Sequence, residues 1–468
     1  MLKYICLYII ISVSVHVFAQ KEAANWVLPH NFWLDFNSNP PTQKTTAITQ
    51  QTGICTSPMS DSLGNLLFIA GSYQSITNSI IDKNGNLISS FLSSSQLVLP
   101  NKLVIPIPQN KQKYYVFLSV YNTDVTPNNF GCYFTIIDMQ LNNGLGSAVT
   151  GSTNILFNSD TIISVTGTKH SDCSGYWLIL RSQTKFYAYL INSSGLNLAP
   201  VISNASSYIN LNTGFQTFKV NPQGNKIAET TSNNQIICYD FNCTTGAITN
   251  NKIKDFTGIF NSIIAVEFSP DGSKLYFTTR NLSNLAQLNQ VLISNGNIDF
   301  NNLSLIYNNT NSLDLVHLQI GIDSKIYISS SLIVNRQNFF SVINNPNLSG
   351  TNCNFIYKAI IAPLGVNFAS KLPNFISSYF NPQACLDYTY TINCQSAQFT
   401  LNANSIQSVL WNFGDNQTST LLNPTHTYVN TGTYTVTLIV IFTNIQQQTV
   451  TKQLTINPQP QIIKIVHK

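Results

Sequence analysis

The feature that most constrains this chain is a turn followed by a strand that recurs about every 50 residues, the length of a four-stranded propeller blade. Each turn is rich in Asn, Asp, Gly, Ser and Pro, and an aromatic- or aliphatic-rich run follows it. Such turns and runs are the ordinary signals of a short β-strand entered from a tight turn. The turns lie at 61–65, 109–113, 172–175, 221–225, 269–273 and 321–324.

This recurrence predicts an all-β fold, because helical periodicity is almost absent. Six turns and a closing unit predict a β-propeller of about seven blades over 20–383. A closed ring leaves no long open sheet edge, which suits a β-rich chain with only 9% charged residues. An array of β-sandwiches is the alternative, although the interval is short for an Ig-like domain of about 100 residues.

A second pattern lies near the C-terminus, where an aromatic strand enters a tight turn and a strand of period two follows. The segment resembles the PKD (polycystic-kidney-disease) module, whose signature is W-x-F-G-D-G, then H-x-Y, then G-x-Y-x-V-x-L. Asn416 stands where the family usually has Gly, a mild change because Asn also adopts the left-handed conformation. The resemblance implies an Ig-like domain over 384–457, followed by a tail over 458–468. Its structural signature residues are Trp411, Phe413, Gly414, Asp415, His426, Tyr428, Gly432 and Tyr434.

The same resemblance raises the question of calcium, because some PKD modules bind this ion. Asp415 is the candidate ligand. One carboxylate in a turn falls short of the six to eight oxygen ligands that calcium takes. We therefore expect no cofactor and no metal site.

The first 19 residues have the pattern of a secretory signal peptide. Lys3 supplies the positive start, residues 9–17 the apolar core, and Ala19 the end of the cleavage site. The apolar run is too short to span a membrane, which takes about 20 residues. We expect an exported chain, at the cell surface or free outside the cell, without a transmembrane segment.

Eight cysteines follow the predicted signal peptide. An even number in an exported chain indicates disulfides, whose pairing cannot be read from sequence alone. The candidate bridges join cysteines that are close in sequence, namely Cys238 with Cys243 and Cys385 with Cys394. Zinc is the alternative, but neither pair has a nearby His.

Residues 24–36, the recurring turns and residues 372–380 together resemble the N-terminal propeller region of PKD-containing surface proteins of gliding Gram-negative bacteria. Those proteins leave the cell by type IX secretion. The resemblance implies a link to gliding motility, and it implies that the strand at 33–36 completes the last blade. Two short sequences look like the O-glycosylation sites of such bacteria, which makes Ser62 and Thr161 candidate acceptors.

The residues available for chemistry are few. The net charge of +5 forms no Lys/Arg cluster, so nucleic acid is not an expected partner. Histidines are scattered, and Glu229 and Glu267 are the carboxylates considered for a glycosidase pair.

We expect no catalytic residue and a non-enzymatic binding or scaffold protein, whose partner is a protein or glycan at the cell surface, including outer-membrane proteins. Two alternatives stay open: a secreted polysaccharide hydrolase or lyase with a PKD accessory domain, and a structural subunit of an outer-membrane surface, secretion or gliding assembly.

Overall fold

The computed structural model divides the chain into two compact units that separate after Cys385. It describes residues 21–28, 32–45, 56–73, 76–91, 101–122, 129–208, 217–294, 297–309, 315–330, 338–364, 372–381, 387–402, 406–442 and 447–457. In these ranges the helices are short 3-10 turns at Lys21–Ala23, Asn142–Gly144, Gly350–Cys353 and Ser377–Phe380. None of them has the length and apolar character needed to cross a membrane. The all-β prediction is confirmed.

Seven antiparallel sheets follow one another along the described residues of the first unit. The first sheet has three strands, and each later sheet is a meander of four strands, extended in two cases by a fifth. The first three sheets contain β1 Asn25–Leu28, β2 Phe32–Asp35, β3 Thr42–Thr45; β4 Ser57–Ser60, β5 Leu66–Tyr73, β6 Ile76–Asp82, β7 Leu87–Ser90; β8 Asn101–Ile107, β9 Asn110–Asn122, β10 Asn129–Asp138, β11 Ser147–Ala148 and β12 Ile155–Asn158.

The other four sheets repeat this plan. They contain β13 Ile162–Lys169, β14 Tyr176–Ser182, β15 Lys185–Asn192, β16 Gly195–Leu196, β17 Val201–Asn204; β18 Phe218–Val220, β19 Lys226–Thr230, β20 Gln235–Phe241, β21 Ile248–Asp255; β22 Ser262–Phe268, β23 Lys274–Arg280, β24 Ala286–Ser294, β25 Asn297–Asn308; β26 Leu315–Ile320, β27 Ile326–Ser330, β28 Phe339–Ile343 and β29 Phe355–Ile361.

Burial falls from the inner to the outer strands of a sheet. The inner strands β26 and β27 are buried at every position, whereas most of the outer strand β21 is exposed. Strands packed on both faces tend to be apolar along their length, and four of the six residues of β26 are apolar. This is the arrangement of propeller blades, which pack face to face around a centre, and the β-propeller prediction is supported.

Five of the six recurring turns lie between the first and second strands of successive sheets, from β4–β5 to β26–β27, and the segment 109–113 begins in the turn between β8 and β9 and continues into β9. Neighbouring turns also touch: Gln223 Nε2 donates to the carbonyl oxygen of Pro270 at 2.8 Å. Gly272 sits at φ +70°, and a Cβ there would come within 2.2 Å of Gln223 Oε1. Glycine is therefore needed at this turn both for its conformation and for the contact with the neighbouring turn.

The N-terminal residues form a sheet of their own, which differs from the expectation that 33–36 completes the last blade. β2 pairs with β1 and β3, and the last sheet has its own four strands. Aromatic contacts join the two sheets, since Phe36 meets Tyr327 at 5.2 Å and Phe32 meets Phe340 at 6.1 Å between ring centroids. The N-terminal strands thus pack beside the last sheet instead of extending it.

The second unit has two antiparallel sheets. One contains β30 Asp387–Asn393, β31 Ser396–Asn402 and β34 Thr425–Thr427; the other contains β32 Ile406–Asn412, β33 Thr418–Ser419, β35 Gly432–Phe442 and β36 Gln447–Ile456. Both contribute to one core, with Tyr388 and Phe399 from the first and Trp411, Val436 and Leu438 from the second.

Candidate functional site

The first strands of the sheets surround the centre of the first unit, and residues 372–380 occupy part of that centre. The amide of Asn374 donates from Nδ2 to the carbonyl oxygens of Lys102 at 2.9 Å and Val165 at 3.0 Å. The backbone N–H of Asn374 donates to Thr56, and its carbonyl accepts from Ser57 Oγ at 2.7 Å. One residue therefore connects β4, β8 and β13. We call residues 372–380 the central plug.

The plug is buried as well as hydrogen-bonded. All four residues of its 3-10 turn, Ser377–Phe380, are buried. Phe375 lies 6.4 Å from Trp26 and 6.0 Å from Phe380 between ring centroids. The aromatic side chains of the plug therefore belong to the main core of the first unit.

A lysine joins the first strands on the other side of the centre. Lys219 Nζ of β18 lies 3.0 Å from Glu267 Oε2 of β22 and donates to Gln319 Oε1 of β26 at 2.6 Å. The other oxygen of Glu267 accepts the N–H of Phe268 at 3.0 Å. Burial raises the pKa of Glu267, against the attraction of Lys219. Lys219 thus ties β18, β22 and β26 together.

A small cavity remains between the plug and these strands. It measures about 70 Å³, which is room for a few water molecules, whereas pockets for organic ligands usually measure about 300–1,000 Å³. Its polar lining includes Asn101, Ser164, Lys219, His317 and Gln319. The cavity is therefore smaller than the usual pocket for an organic ligand.

Glu229 lies in a separate buried cluster between two neighbouring sheets. Arg181 of β14 and Glu229 of β19 are each 1% exposed and are joined at 2.7 Å. Tyr239 Oη donates to Glu229 Oε1 at 2.8 Å. The two glutamates considered for a glycosidase pair therefore lie on different strands and have different cationic partners, so the structure does not form a shared carboxylate pair from them.

Sequence reasoning missed both ion pairs, although a signal was present. Arg181 and Glu229 are 48 residues apart, and so are Lys219 and Glu267. Each pair occupies matching strands of adjacent sheets. Opposite charges separated by the repeat length therefore indicate an ion pair between adjacent sheets.

The PKD signature residues build one corner of the second unit. His426 stacks on Phe413 with ring centroids 4.1 Å apart, and its Nε2 donates to Asp415 Oδ2 at 2.7 Å. Tyr428 Oη donates to the carbonyl oxygen of Phe413 at 3.1 Å. Gly414 has φ +85°, and a Cβ there would lie 2.7 Å from a backbone oxygen of β35. These contacts are structural.

The remaining signature residues also hold the fold. Trp411 is fully buried, and its Nε1 donates to Leu421 at 3.0 Å. Tyr434 Oη donates to Asn430, and Gly432 begins β35. Asp415 is the candidate calcium ligand, and its Oδ1 accepts the N–H of Gln417 at 3.1 Å. Across the described residues, no group of three or more His, Cys, Asp or Glu side chains is arranged to hold a metal ion.

The cysteines depart from the predicted bridges. Cys238 and Cys243 carry free thiols, so the bridge between them is wrong. Cys238 lies inside β20, and each strand residue adds about 3.3 Å, so the strand places Cys243 beyond the reach of a disulfide. Cys394 is also a free, exposed thiol, which contradicts its bridge to Cys385, a residue outside the described ranges. Cys173 is disulfide-bonded.

The candidate O-glycosylation sites differ in exposure. Ser62 is exposed in the turn between β4 and β5, whereas Thr161 is half-buried before β13. Asp61 is engaged within its turn, because its Oδ1 accepts the N–H of Leu63 at 2.9 Å. Glycosylation of either residue stays a prediction. The predicted signal peptide and the tail lie outside the described residues.

Comparison with known proteins identifies the second unit. Residues 380–457 match the family described as PKD domain. The C-terminal unit is a PKD domain. No curated protein matches the sequence.

Solved structures give weaker likenesses. The PKD1 domain of the Vibrio cholerae metalloprotease PrtV is 27% identical over 16% of this chain and 95% of that chain, with a TM-score of 0.15. The periplasmic gluconolactonase PpgL of Pseudomonas aeruginosa is 10% identical over 74% of this chain and 97% of that chain, with a TM-score of 0.44. The β-propeller domain of Myceliophteria thermophila Cps50 (Swd1) is 9% identical over 75% and 94%, with a TM-score of 0.36. Likenesses this low carry no argument about activity.

Proposed function

We propose that this chain is a non-enzymatic, extracellular or cell-surface binding protein. A seven-bladed propeller presents its loops and flanks to a protein or glycan, and an Ig-like PKD sandwich acts as spacer or docking unit. A closed ring of sheets suits this task because it fixes the positions of its loops before contact, so less ordering entropy is lost on binding. Export, surface location and membership of the type IX secretion family belong to this proposal. Export rests on the signal-peptide pattern, and the other two rest on the sequence resemblance.

The observation that carries the proposal is the filled centre of the propeller. The centre is where polar side chains from several sheets could have converged on a substrate. Here Asn374 of the plug and Lys219 are bonded to the surrounding strands, and the remaining cavity measures about 70 Å³. Among the described residues, groups that bond one another around so small a cavity favour a structural centre over a catalytic one.

The alternative of a hydrolase or lyase has one observation in its favour. Lys219 and His317 line the same cavity, and Glu267 is bonded to Lys219 beside it. A buried acid with a raised pKa is a feature of catalytic sites. The ion pair at 3.0 Å and the small volume weigh against it.

A surface-assembly subunit is a third function that the exposed side chains leave open. Aliphatic residues stand on the outer strands of several sheets, among them Leu156, Ile202, Ile253 and Leu305, which are 47–55% exposed. They are distributed over four different sheets. A binding protein and an assembly subunit differ in whether the chain stays in a stable complex after extraction.

The test combines binding and turnover on the mature full chain. We expect retention of envelope proteins or of glycans in pull-down and array experiments, with no release of reducing ends from polysaccharides. Glu267→Gln is the diagnostic variant, and Asp255→Asn, a change at an exposed residue of β21, is its control. Polysaccharide cleavage that disappears in Glu267→Gln and persists in Asp255→Asn would establish an enzyme and overturn the proposal.

A further inference from the structure

A groove of about 340 Å³ opens on the flank of the first unit, between strands β20 and β21 and the start of β25. Its volume is at the lower end of the range for small-ligand pockets, about 300–1,000 Å³. It lies away from the central cavity. We call it the flank groove; its lining residues are Lys226, Cys238, Tyr239, Asp240, Asn250, Asn251, Lys252, Asn297 and Ile298.

A β-bulge shapes one wall of the flank groove. Cys238 pairs with Lys252 and Asp240 with Thr249, so two residues of β21 stand opposite the single residue Tyr239. One of the two, Asn250, has φ +52°. A bulge re-aims side chains and is over-represented at binding sites. Here it turns the amide of Asn250 onto Asp240, with Nδ2 3.0 Å from Oδ2.

A small side chain leaves the floor of the groove open. Cys238 and Ile298 are 4% and 8% exposed and belong to one core cluster. The other face of the same sheet is filled by large rings, including Trp177, Phe186 and Phe241. A cysteine occupies little volume, so the outer part of this cleft is not closed by packing.

The charged side chains of the groove differ in how they are compensated. Lys226 Nζ is paired with Asp240 Oδ1. Burial opposes ionisation of Asp240, but hydrogen bonds from Lys226 and Asn250 outweigh it and lower the pKa of this carboxyl. Lys252 Nζ donates to Asn297 Oδ1, which is a neutral amide. Two ammonium groups and one carboxylate leave the groove with an excess of one positive charge.

This set of groups matches a ligand with one carboxylate and several hydroxyls. The ammonium of Lys252 suits the carboxylate, since a charged hydrogen bond is stronger than a neutral one. The carboxylate of Asp240 and the amides of Asn250 and Asn297 suit hydroxyl donors and acceptors. A neutral sugar would give Lys252 no counter-charge beyond that of Asp240, which already pairs with Lys226, and a ligand with two negative charges would be repelled by Asp240.

We propose that the flank groove binds the carboxylated ring of an acidic sugar, the uronic acid residue of an acidic polysaccharide or the free sugar acid. This inference rests on the proposed binding function and adds a site and a ligand class to it. Lys252 is the residue that selects acidic over neutral sugars.

Isothermal titration calorimetry of the mature full chain tests the proposal with glucuronate, glucose and polygalacturonate. We expect glucuronate to bind at least about tenfold more tightly than glucose, the worth of one charged hydrogen bond. Lys252→Gln removes the charge at an exposed position and should weaken the binding of glucuronate and of polygalacturonate by at least about tenfold. Lys83→Gln, at an exposed turn of another sheet, is the matched control.

A second variant guards against indirect effects. Asn250→Gly keeps the left-handed backbone that glycine adopts freely and removes the amide, so it should weaken glucuronate binding while the thermal unfolding profile is unchanged. Equal affinity for glucose and glucuronate, or equal affinities of Lys252→Gln and Lys83→Gln, overturns the proposal. If the sugar site is overturned but the chain still binds envelope proteins, the proposed binding function stands. Cleavage of a polysaccharide would instead overturn the proposed non-enzymatic function. If Lys252→Gln loses binding of polygalacturonate and of free glucuronate together, the same groove binds the polysaccharide and the free sugar acid.

Discussion

At the residue scale, the buried pair of Arg181 and Glu229 makes a sharp stability prediction. Both side chains are 1% exposed, and Arg181 also donates to the carbonyl oxygens of Ser182 and Ser207. Glu229→Gln keeps the shape but leaves the buried guanidinium without its counter-charge. Breaking a buried pair in this way costs about 3–5 kcal/mol. Urea unfolding should show a loss of this size.

The double variant separates pairing from packing. Arg181→Met combined with Glu229→Leu replaces both charges by apolar groups, and buried pairs exchanged in this way often lose little stability. We therefore expect the double variant to be more stable than Glu229→Gln. A Glu229→Gln chain that unfolds at the same urea concentration as the unchanged protein would show that the pair is compensated by other groups.

At the scale of elements, the central plug makes the second prediction. Asn374 bonds three first strands at once: its amide donates to carbonyl oxygens of β8 and β13, and its backbone carbonyl accepts from Ser57 of β4. Asn374→Ala leaves those carbonyls unsatisfied and should destabilise the first unit by about 1–3 kcal/mol. Asn301→Ala, at an exposed position of β25, should change stability by less than about 0.5 kcal/mol. Chemical unfolding of the two variants checks this, and equal midpoints would mean that the plug is held by its apolar residues alone.

The plug also marks a limit of sequence reasoning. The six turns between first and second strands were predictable because each carries local turn chemistry at a fixed interval. Leu372 to Phe380 carries no such signal. Its place depends on the Ser57 hydroxyl of β4 and on carbonyl groups of β8 and β13, which are 209 to 317 residues away in the chain. Contacts of that range leave no local pattern. The thiols of Cys238 and Cys243 illustrate the same limit, because nearness in sequence was mistaken for nearness in space.

At the scale of the whole molecule, the repeat length relates the fold to the sites. A spacing of 48 residues brings Lys219 to Glu267 and Arg181 to Glu229, and a spacing of 45 residues brings Lys252 to Asn297 on the outer strands. The repeat therefore predicts the sheets and, with hindsight, the pairs between them. The flank groove was not predictable, because it depends on one bulge and one small side chain.

The buried tyrosines of the whole molecule predict its response to alkali. Burial, reinforced by the carboxylates of Glu22 and Asp61, raises the pKa of Tyr114 to about 12 from its usual 10.0. Burial raises the pKa of Tyr276 and Tyr327 further. Between pH 10 and 12 the unfolded chain therefore releases protons that the folded chain keeps. Stability is fully present below pH 10 and falls as the pH rises through this window.

An alkaline titration followed by tyrosinate absorbance and far-ultraviolet circular dichroism tests this response. We expect the buried tyrosines to ionise in one cooperative step together with loss of β-structure, because ionisation in place would leave a phenolate in an apolar core. Tyr114→Phe removes one of these ionisations and should raise the midpoint of the transition, whereas Tyr208→Phe, at a side chain 60% exposed, should leave it unchanged. A gradual rise in absorbance with unchanged dichroism would mean that water reaches these rings in the folded state. The core around the plug would then be looser than its burial implies.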